Sequence, residues 1–326
     1  MFRLDGSILI IHHWDTDGLC SGAMILEQLG ERKAETWTPP LGTFYLTSEH
    51  IEYARGFDNV IICDMALPAG NVKAIAGSAN VIMFDHHHQD PIDGITHINP
   101  VAHGASGDDY PSNTWVMKEH LGLPLRFHVL LGFIGDREQK IKDNPPFWKR
   151  IQEYMTQNGV TFENLLELVY LIDSSYKVGD RDSVTEAPHL LREYKTREDI
   201  LGNGTWKANL ENLEKKMDRV LSEPPEEVDG VQLKRLDTPY AIISQVTRRL
   251  AWGTGRDTVV VNTGFFEDQD QLYSRSNIVD YHDLITKAKA YGFNAGGKKD
   301  VIGAIIPKFE TENFLEETIE YIKKNR

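Results

Sequence analysis

The stretch "ILIIHHWDTDG", residues Ile8 to Gly18, decides how this chain is read. Four apolar residues give a short buried-strand signal that stops at His12 and His13. Asp15 and Asp17 follow on either side of Thr16, and Gly18 opens a segment that reads as a helix to Leu29, closed by Gly30. So much like charge at the mouth of a core is unfavourable unless a cation takes it up.

Working outward, the same design recurs. Val60-Ile61-Ile62-Cys63 runs into Asp64, Val81-Ile82-Met83-Phe84 into Asp85-His86-His87-His88, and the apolar run Val129 to Gly135 into Asp136. Each segment predicts a buried strand ending in an acid. Helices are expected between them at Ala69 to Gly77 and at Thr114 to Leu121, the latter capped by Ser112 or Asn113 and stopped by Gly122. Continuous apolar strands alternating with helices predict a parallel α/β sheet covered on both faces. In such sheets ligands bind beyond the carboxyl ends of the strands, so the acids are expected to converge on one crevice.

Asp64 taken alone is ordinary turn chemistry. Three adjacent histidines beside an acid are harder to justify as packing. Carboxylate and imidazole donors together suit Mn²⁺ or Mg²⁺, with Mn²⁺ preferred where nitrogen is mixed in. Two such ions ~3.5–4 Å apart can share a carboxylate, activate a water and steady the oxyanions of an in-line phosphoryl displacement. Hydrolysis of a phosphate ester or anhydride is the expected reaction class.

Composition bounds the rest. The 326 residues are 40% hydrophobic and 26% charged, enough for two domains with a core in each. The amino-terminal apolar run is too short for a signal peptide or a membrane span, which predicts a cytoplasmic protein with no membrane partner. Two cysteines, Cys20 and Cys63, argue against a disulfide framework. With 35 basic against 49 acidic residues, a net charge of −14 excludes generic coating of long duplexes.

The order His13-x-Asp15-x-Asp17-Gly18, Asp64, Asp85-His86-His87, Asp136 resembles the four motifs of the DHH phosphoesterase superfamily. That superfamily includes RecJ exonucleases, nanoRNases, cyclic-dinucleotide phosphodiesterases, family II pyrophosphatases and exopolyphosphatase. The resemblance implies that His13 and Asp15 bind one metal, Asp17 the second, and that Asp64 bridges them. His86 would complete one coordination sphere and Asp136 the other. His87 would contact the scissile phosphate, giving an expected catalytic set of His87, Asp85 and Asp136. His12, Trp14 and His88 fall outside the pattern. The following loop, "HINPVAHGASGDDYPSNTWV", is similar to the family's Asn-Pro loop: Asn99 would orient a ligand and His103 would reach phosphate, an assignment no stronger than that of an ordinary loop.

From Pro145 to Leu221 the pattern turns helical, and the stripes of Phe162, Leu165, Leu166, Leu168, Val169 and Ile172 and of Leu210, Leu213, Met217 and Val220 read as core faces. "SEPPEEVDG", Ser222 to Gly230, reads as an acidic Pro-rich linker. Strands are then expected at Val231 to Leu236, Thr258 to Val261, Leu272 to Ser276 and Val301 to Ile306, with helices between and after them. Within this half, "YSRSN" and "YGFNAGGKKDVIGAII" resemble the DHH-associated substrate domain. Arg275 and Ser276 and a turn at Gly296, Gly297 and Lys298 would then cradle a substrate phosphate. Lys298 stands where the family usually has histidine. Family II pyrophosphatases carry a different carboxy-terminal domain, which disfavours pyrophosphate.

The expectation is therefore an α/β protein: a parallel-sheet DHH catalytic domain over 1–144, a helical insert over 145–221, a linker over 222–230 and a smaller α/β substrate-binding domain over 231–326. The expected activity is a manganese-dependent, two-metal phosphodiesterase, a RecJ-like exonuclease on single-stranded DNA or RNA. A nanoRNase or cyclic-dinucleotide hydrolase acting on very short oligonucleotides is the alternative, and a non-catalytic replication scaffold the minor one. Expected partners are the nucleic-acid substrate, with a second copy of the chain or a replication or repair protein as further classes.

Overall fold

The computed structural model describes residues 4–326 and divides into two compact units. The first comprises the chain through Tyr176 together with Asp180–Leu210; the second comprises Lys177–Gly179 and Glu211–Arg326.

The first unit is built on β1 (Ile8–His12), α1 (Thr16–Leu29), β2 (Glu35–Trp37), α2 (Ser48–Ala54), β3 (Asn59–Cys63), α3 (Ala69–Ala76), β4 (Asn80–Phe84) and β5 (Thr96–Ile98). Its strands form a fully parallel sheet in the order β2-β1-β3-β4-β5. β1 and β3 are buried along their whole length, which is why they read as continuous apolar runs. Strand order reverses between β1 and β3, and His12 pairs with Cys63 while Cys63 pairs with Phe84. The ladder continues one residue further, with His13 N–H donating to Cys63 O, Asp64 N–H to Phe84 O and Asp85 N–H to Ile98 O. His13, Asp64 and Asp85 thus stand side by side at the carboxyl edge, at a topological switch point where such sheets bind ligands.

Helices complete the unit: α4 (Asn113–Leu121), α5 (Phe127–Arg137), α6 (Pro145–Asn158), α7 (Phe162–Lys177), α8 (Arg181–Glu193), α9 (Arg197–Leu201) and the start of α10 (Gly204–Ser222). Ser112 caps α4 by accepting from Trp115 N–H, and Gly122 closes it in the left-handed region. Phe162, Leu165, Leu166, Leu168, Val169 and Ile172 are all buried in the core that backs the sheet.

The run Val129 to Gly135 is not a strand. It lies within α5, whose residues His128 to Ile134 are all buried. A helix covered on every side loses the polar face that would betray its period, and a short apolar run then looks like a buried strand. The glycines have a packing role: a Cβ at Gly132 would lie 2.1 Å from Thr114 Oγ1 and 2.4 Å from Asp17 Oδ1. α5 therefore approaches α1 and α4 closely, and Asp136 reaches the crevice from its last turn.

The second unit contains β6 (Glu226–Val228), β7 (Val231–Leu236), α11 (Ile243–Thr254), β8 (Thr258–Asn262), β9 (Gln269–Arg275), α12 (His282–Ala290), β10 (Asn294–Lys298), β11 (Val301–Pro307) and α13 (Thr311–Lys324). Its sheet runs β10-β11-β9-β8-β7-β6, with β7 and β8 parallel and the other pairs antiparallel. It has its own core, centred on Val259, Val261, Leu272, Tyr281, Ile302 and Phe314.

Two expectations are corrected here. The segment read as a linker contains edge strand β6, joined to β7 by Asp229 (φ 54°) and Gly230 (φ 83°), a two-residue turn whose positive dihedrals match the twist of a hairpin. The glycine pair is not a turn but part of edge strand β10. At Gly297 (φ 155°) a Cβ would meet Val301 O at 2.1 Å, so close backbone approach within the hairpin explains that glycine.

Candidate metal centre

At the carboxyl edge of the parallel sheet, side chains from the segments just past β1, β3 and β4 meet side chains from α1 and α5. Among the described residues, ligand atoms of His13, Asp15 and Asp64 lie within 4.8 Å of one another, as do those of Asp17, His86 and Asp136, and those of Asp64, His86 and His87. All six expected ligands are brought together. His86 Nε2 lies 3.0 Å from Asp136 Oδ2 and 3.3 Å from Asp64 Oδ1, so His86 belongs both to the group with Asp17 and Asp136 and to the group with Asp64 and His87.

The donor atoms crowd together without satisfying one another by hydrogen bonds. His13 Nδ1 is 2.8 Å from Asp15 Oδ1, yet it is buried and makes no aligned hydrogen bond. Both ring nitrogens of His13, Nε2 of His86 and Oδ1 of Asp64 are buried without a hydrogen-bond partner. Buried polar atoms left this way are costly, and a divalent ion satisfies them. The oxygen and imidazole donor set fits Mn²⁺ or Mg²⁺.

The electrostatics agree. Burial, then Asp136, pushes Asp17 up to about 7, and burial with Asp17 raises Asp64 far above the usual carboxylate range. Burial pulls His86 down, but Asp136 and Asp64 outweigh it and raise it well above its ordinary value. Burial opposes ionisation of Asp15 too, but His13 and the Gly18 N–H bring it down to about 2. Carboxylates crowded so that one holds its proton near neutrality are a ready cation site. Asp64 also sits at φ 62°, a left-handed conformation that a non-glycine residue adopts at some cost.

Supporting contacts fix each ligand. His86 Nδ1 donates to Tyr110 O at 3.3 Å, so Nε2 is the nitrogen turned to the acids. Asp85 is fully buried and accepts from His86 N–H, His87 N–H, His87 Nδ1–H and Gln89 Nε2. Its partner His87 has a side chain that is 45% exposed, with Nδ1 2.7 Å from Asp85 Oδ1. Asn99 donates to His87 O and accepts from Ala102 N–H, holding the loop and not a ligand. His103 is exposed on the following short 3₁₀ turn.

Asp17 Oδ1 and Oδ2 accept from Thr114 and Asn113 N–H at 3.0 and 2.5 Å, which locks it to the amino terminus of α4. His12 is buried behind the site, donates from Nδ1 to His13 O, and is lowered by burial to about 4. Trp14 is buried with its ring 4.3 Å from that of His13, while His88 is exposed.

Two contributors carried no sequence signal. Asp173 on α7 is buried and accepts from both Thr16 N–H (2.9 Å) and Thr16 Oγ1–H (2.6 Å), holding the residue between Asp15 and Asp17. It lies 157 residues away from Thr16, beyond any local pattern. Arg137 donates to Gly107 O at 2.6 Å, tying the end of α5 to the loop before α4.

In the second unit, Arg275 Nη1 donates to Asp300 Oδ2 at 3.0 Å. Ser276 is buried, and its hydroxyl oxygen accepts from Ile278 and Val279 N–H, which commits it to the turn after β9. Gly296 and Lys298 are exposed on β10.

Residues 7–142 match the DHH family, N-terminal domain. No curated protein matches the chain. Among solved structures, an exonuclease RecJ bound to manganese aligns with a TM-score of 0.66 at 16% identity, covering 97% of this chain and 90% of that one. RecJ from Thermus thermophilus with Mn²⁺ gives 0.67 at 16% identity, covering 98% of this chain and 52% of that longer one. The pGpG-specific phosphodiesterase PggH from Vibrio cholerae gives 0.55 at 15% identity, covering 98% and 100%. At these identities the likeness is one of fold. Among the described residues no helix is long and apolar enough to cross a membrane. The family match lies over the residues that build the cluster, so residues 7–142 of this protein form a DHH family N-terminal domain, and the fold of the RecJ and PggH structures extends across nearly the whole chain.

Proposed function

We propose that the chain is a manganese-dependent phosphodiesterase that removes nucleotides from single-stranded nucleic acid. The observation that carries this reading is the set of interlocking carboxylate and imidazole groups with buried, unsatisfied donor atoms at the β1/β3 switch point. His13, Asp15 and Asp64 would hold one divalent ion and Asp17, His86 and Asp136 a second, with Asp64 adjoining both groups. Ions held there supply Lewis-acid charge and an activated water for in-line displacement at phosphorus.

The chain's own residues do the rest. Asp85 fixes Nδ1 of His87 as a donor and favours the imidazolium form, in which Nε2–H would donate to a phosphate oxygen or to the leaving group. Asp173 and the α4 amino terminus hold Asp15 and Asp17 in place, so little reorganisation is needed when substrate arrives. Arg275, Gly296 and Lys298 are assigned to a substrate phosphate in the second unit, and His103 to the same task in the first. Manganese is favoured over magnesium by the nitrogen donors, and RecJ structures hold either Mn²⁺ or Mg²⁺.

A second reading has support of its own: a substrate of two to a few nucleotides suits a net charge of −14, and the pGpG-specific enzyme shares the fold over its full length. Incubating the purified chain with Mn²⁺ and end-labelled single strands or dinucleotides separates the two. A ladder of shortening products from long strands supports the exonuclease. Turnover of dinucleotides alone supports the second reading, and no turnover of either contradicts both.

A further inference from the structure

Tryptophan usually hides its ring, and in this chain Trp14, Trp115 and Trp206 are all buried. Trp252, on α11 of the second unit, is 59% exposed. Two guanidinium groups converge on it: Arg248, one turn earlier on α11, at 5.5 Å from the ring centroid, and Arg275, at the end of β9, at 5.4 Å. Arg275 is only partly committed. Its Nη1 donates to Asp300, whereas its Nε is buried and has no hydrogen-bond partner among the described residues.

We propose that Trp252 is a stacking platform for one nucleobase, with Arg275 and Arg248 beside it serving the phosphate attached to that base. The pairing of an aromatic face with adjacent guanidinium groups is what a single-stranded nucleotide recognises: the base stacks without regard to its identity, and the cations follow the backbone. Asp300 takes only Nη1 of the Arg275 guanidinium, at the rim of the exposed ring. The platform thus separates a nucleotide from inorganic phosphate or polyphosphate, which have no ring to stack. This inference rests on the nucleic-acid reading above and adds a base-binding subsite to it.

The test is equilibrium binding of a labelled, phosphorothioate-linked thymidine pentamer to the full-length chain, against an all-abasic pentamer of equal charge. Trp252→Ala is expected to weaken the base-bearing pentamer about tenfold, within the range alanine substitution gives for one stacked base, and to leave the abasic one unchanged. Trp252→Phe, which keeps a ring, retains most of the affinity. Equal binding of the base-bearing pentamer by wild type and Trp252→Ala overturns the subsite and leaves the hydrolase reading standing. An equal loss on both pentamers overturns stacking as the cause. Unchanged binding with an altered oligomeric state marks Trp252 as a protein-docking residue and overturns the proposal. Failure of the wild type to bind or hydrolyse any oligonucleotide overturns both readings.

Discussion

Asp64 and Asp173 act in opposite ways on the same centre. Asp64 is held at φ 62° with Oδ1 buried and without a hydrogen-bond partner, and a cation at that oxygen would satisfy it. Asp173 spends its carboxylate on Thr16 and so sets the angle at which Asp15 and Asp17 leave β1. Partners that orient ligands are worth roughly ten- to a hundredfold in metal affinity. Calorimetric titration with Mn²⁺ should find Asp173→Ala weaker by that order, while Asp173→Asn, which still accepts from Thr16, stays within a few-fold of wild type. Asp136→Ala removes a proposed ligand and is expected to cut hydrolysis by more than about a hundredfold with an unchanged far-ultraviolet spectrum. His128 makes a separate point about pH. Burial holds it below the usual imidazole range against the pull of Glu27 and with the help of Lys195. A folded value below the unfolded one means that its contribution to stability is full above roughly pH 6.5 and is lost as pH falls through the folded value. Thermal melts across that range should flatten in His128→Gln.

Among the elements, α5 explains most of what sequence alone conveys and conceals. β1, β3 and β4 were legible because strands buried on both faces are unbroken apolar runs, and their terminal acids named the site. α5 is equally apolar and was indistinguishable from them, so Asp136 was assigned to the right crevice by way of the wrong element. Gly132 is the trace of its real geometry. Gly132→Ala drives a methyl group into Thr114 and Asp17, so it should destabilise the fold by about 1–3 kcal/mol in denaturant titrations and weaken Mn²⁺ binding as well. The Asp229-Gly230 pair was likewise a readable hairpin signal hidden inside an acidic, Pro-containing stretch. Asp173 and Arg137 left no trace at all, since the role of each comes only from contacts made in three dimensions.

Across the whole molecule, the charge balance limits how much nucleic acid can be gripped. With 49 acidic and 35 basic residues, contacts to a strand should involve only a few phosphates. Binding of a single strand should then fall with salt on a log–log slope no steeper than about −3, at ~0.7 per phosphate, and a steeper slope would reveal a basic track that composition does not suggest. The candidate ion site belongs to the first unit, and the proposed substrate contacts at Arg275, Gly296 and Lys298 belong to the second. The ion site is the more basic claim. Anomalous scattering at the manganese edge from a crystal soaked in Mn²⁺ tests it most directly. The account predicts two ions, one among His13, Asp15 and Asp64 and one among Asp17, His86 and Asp136. A soaked crystal with no anomalous peak among those side chains would contradict it.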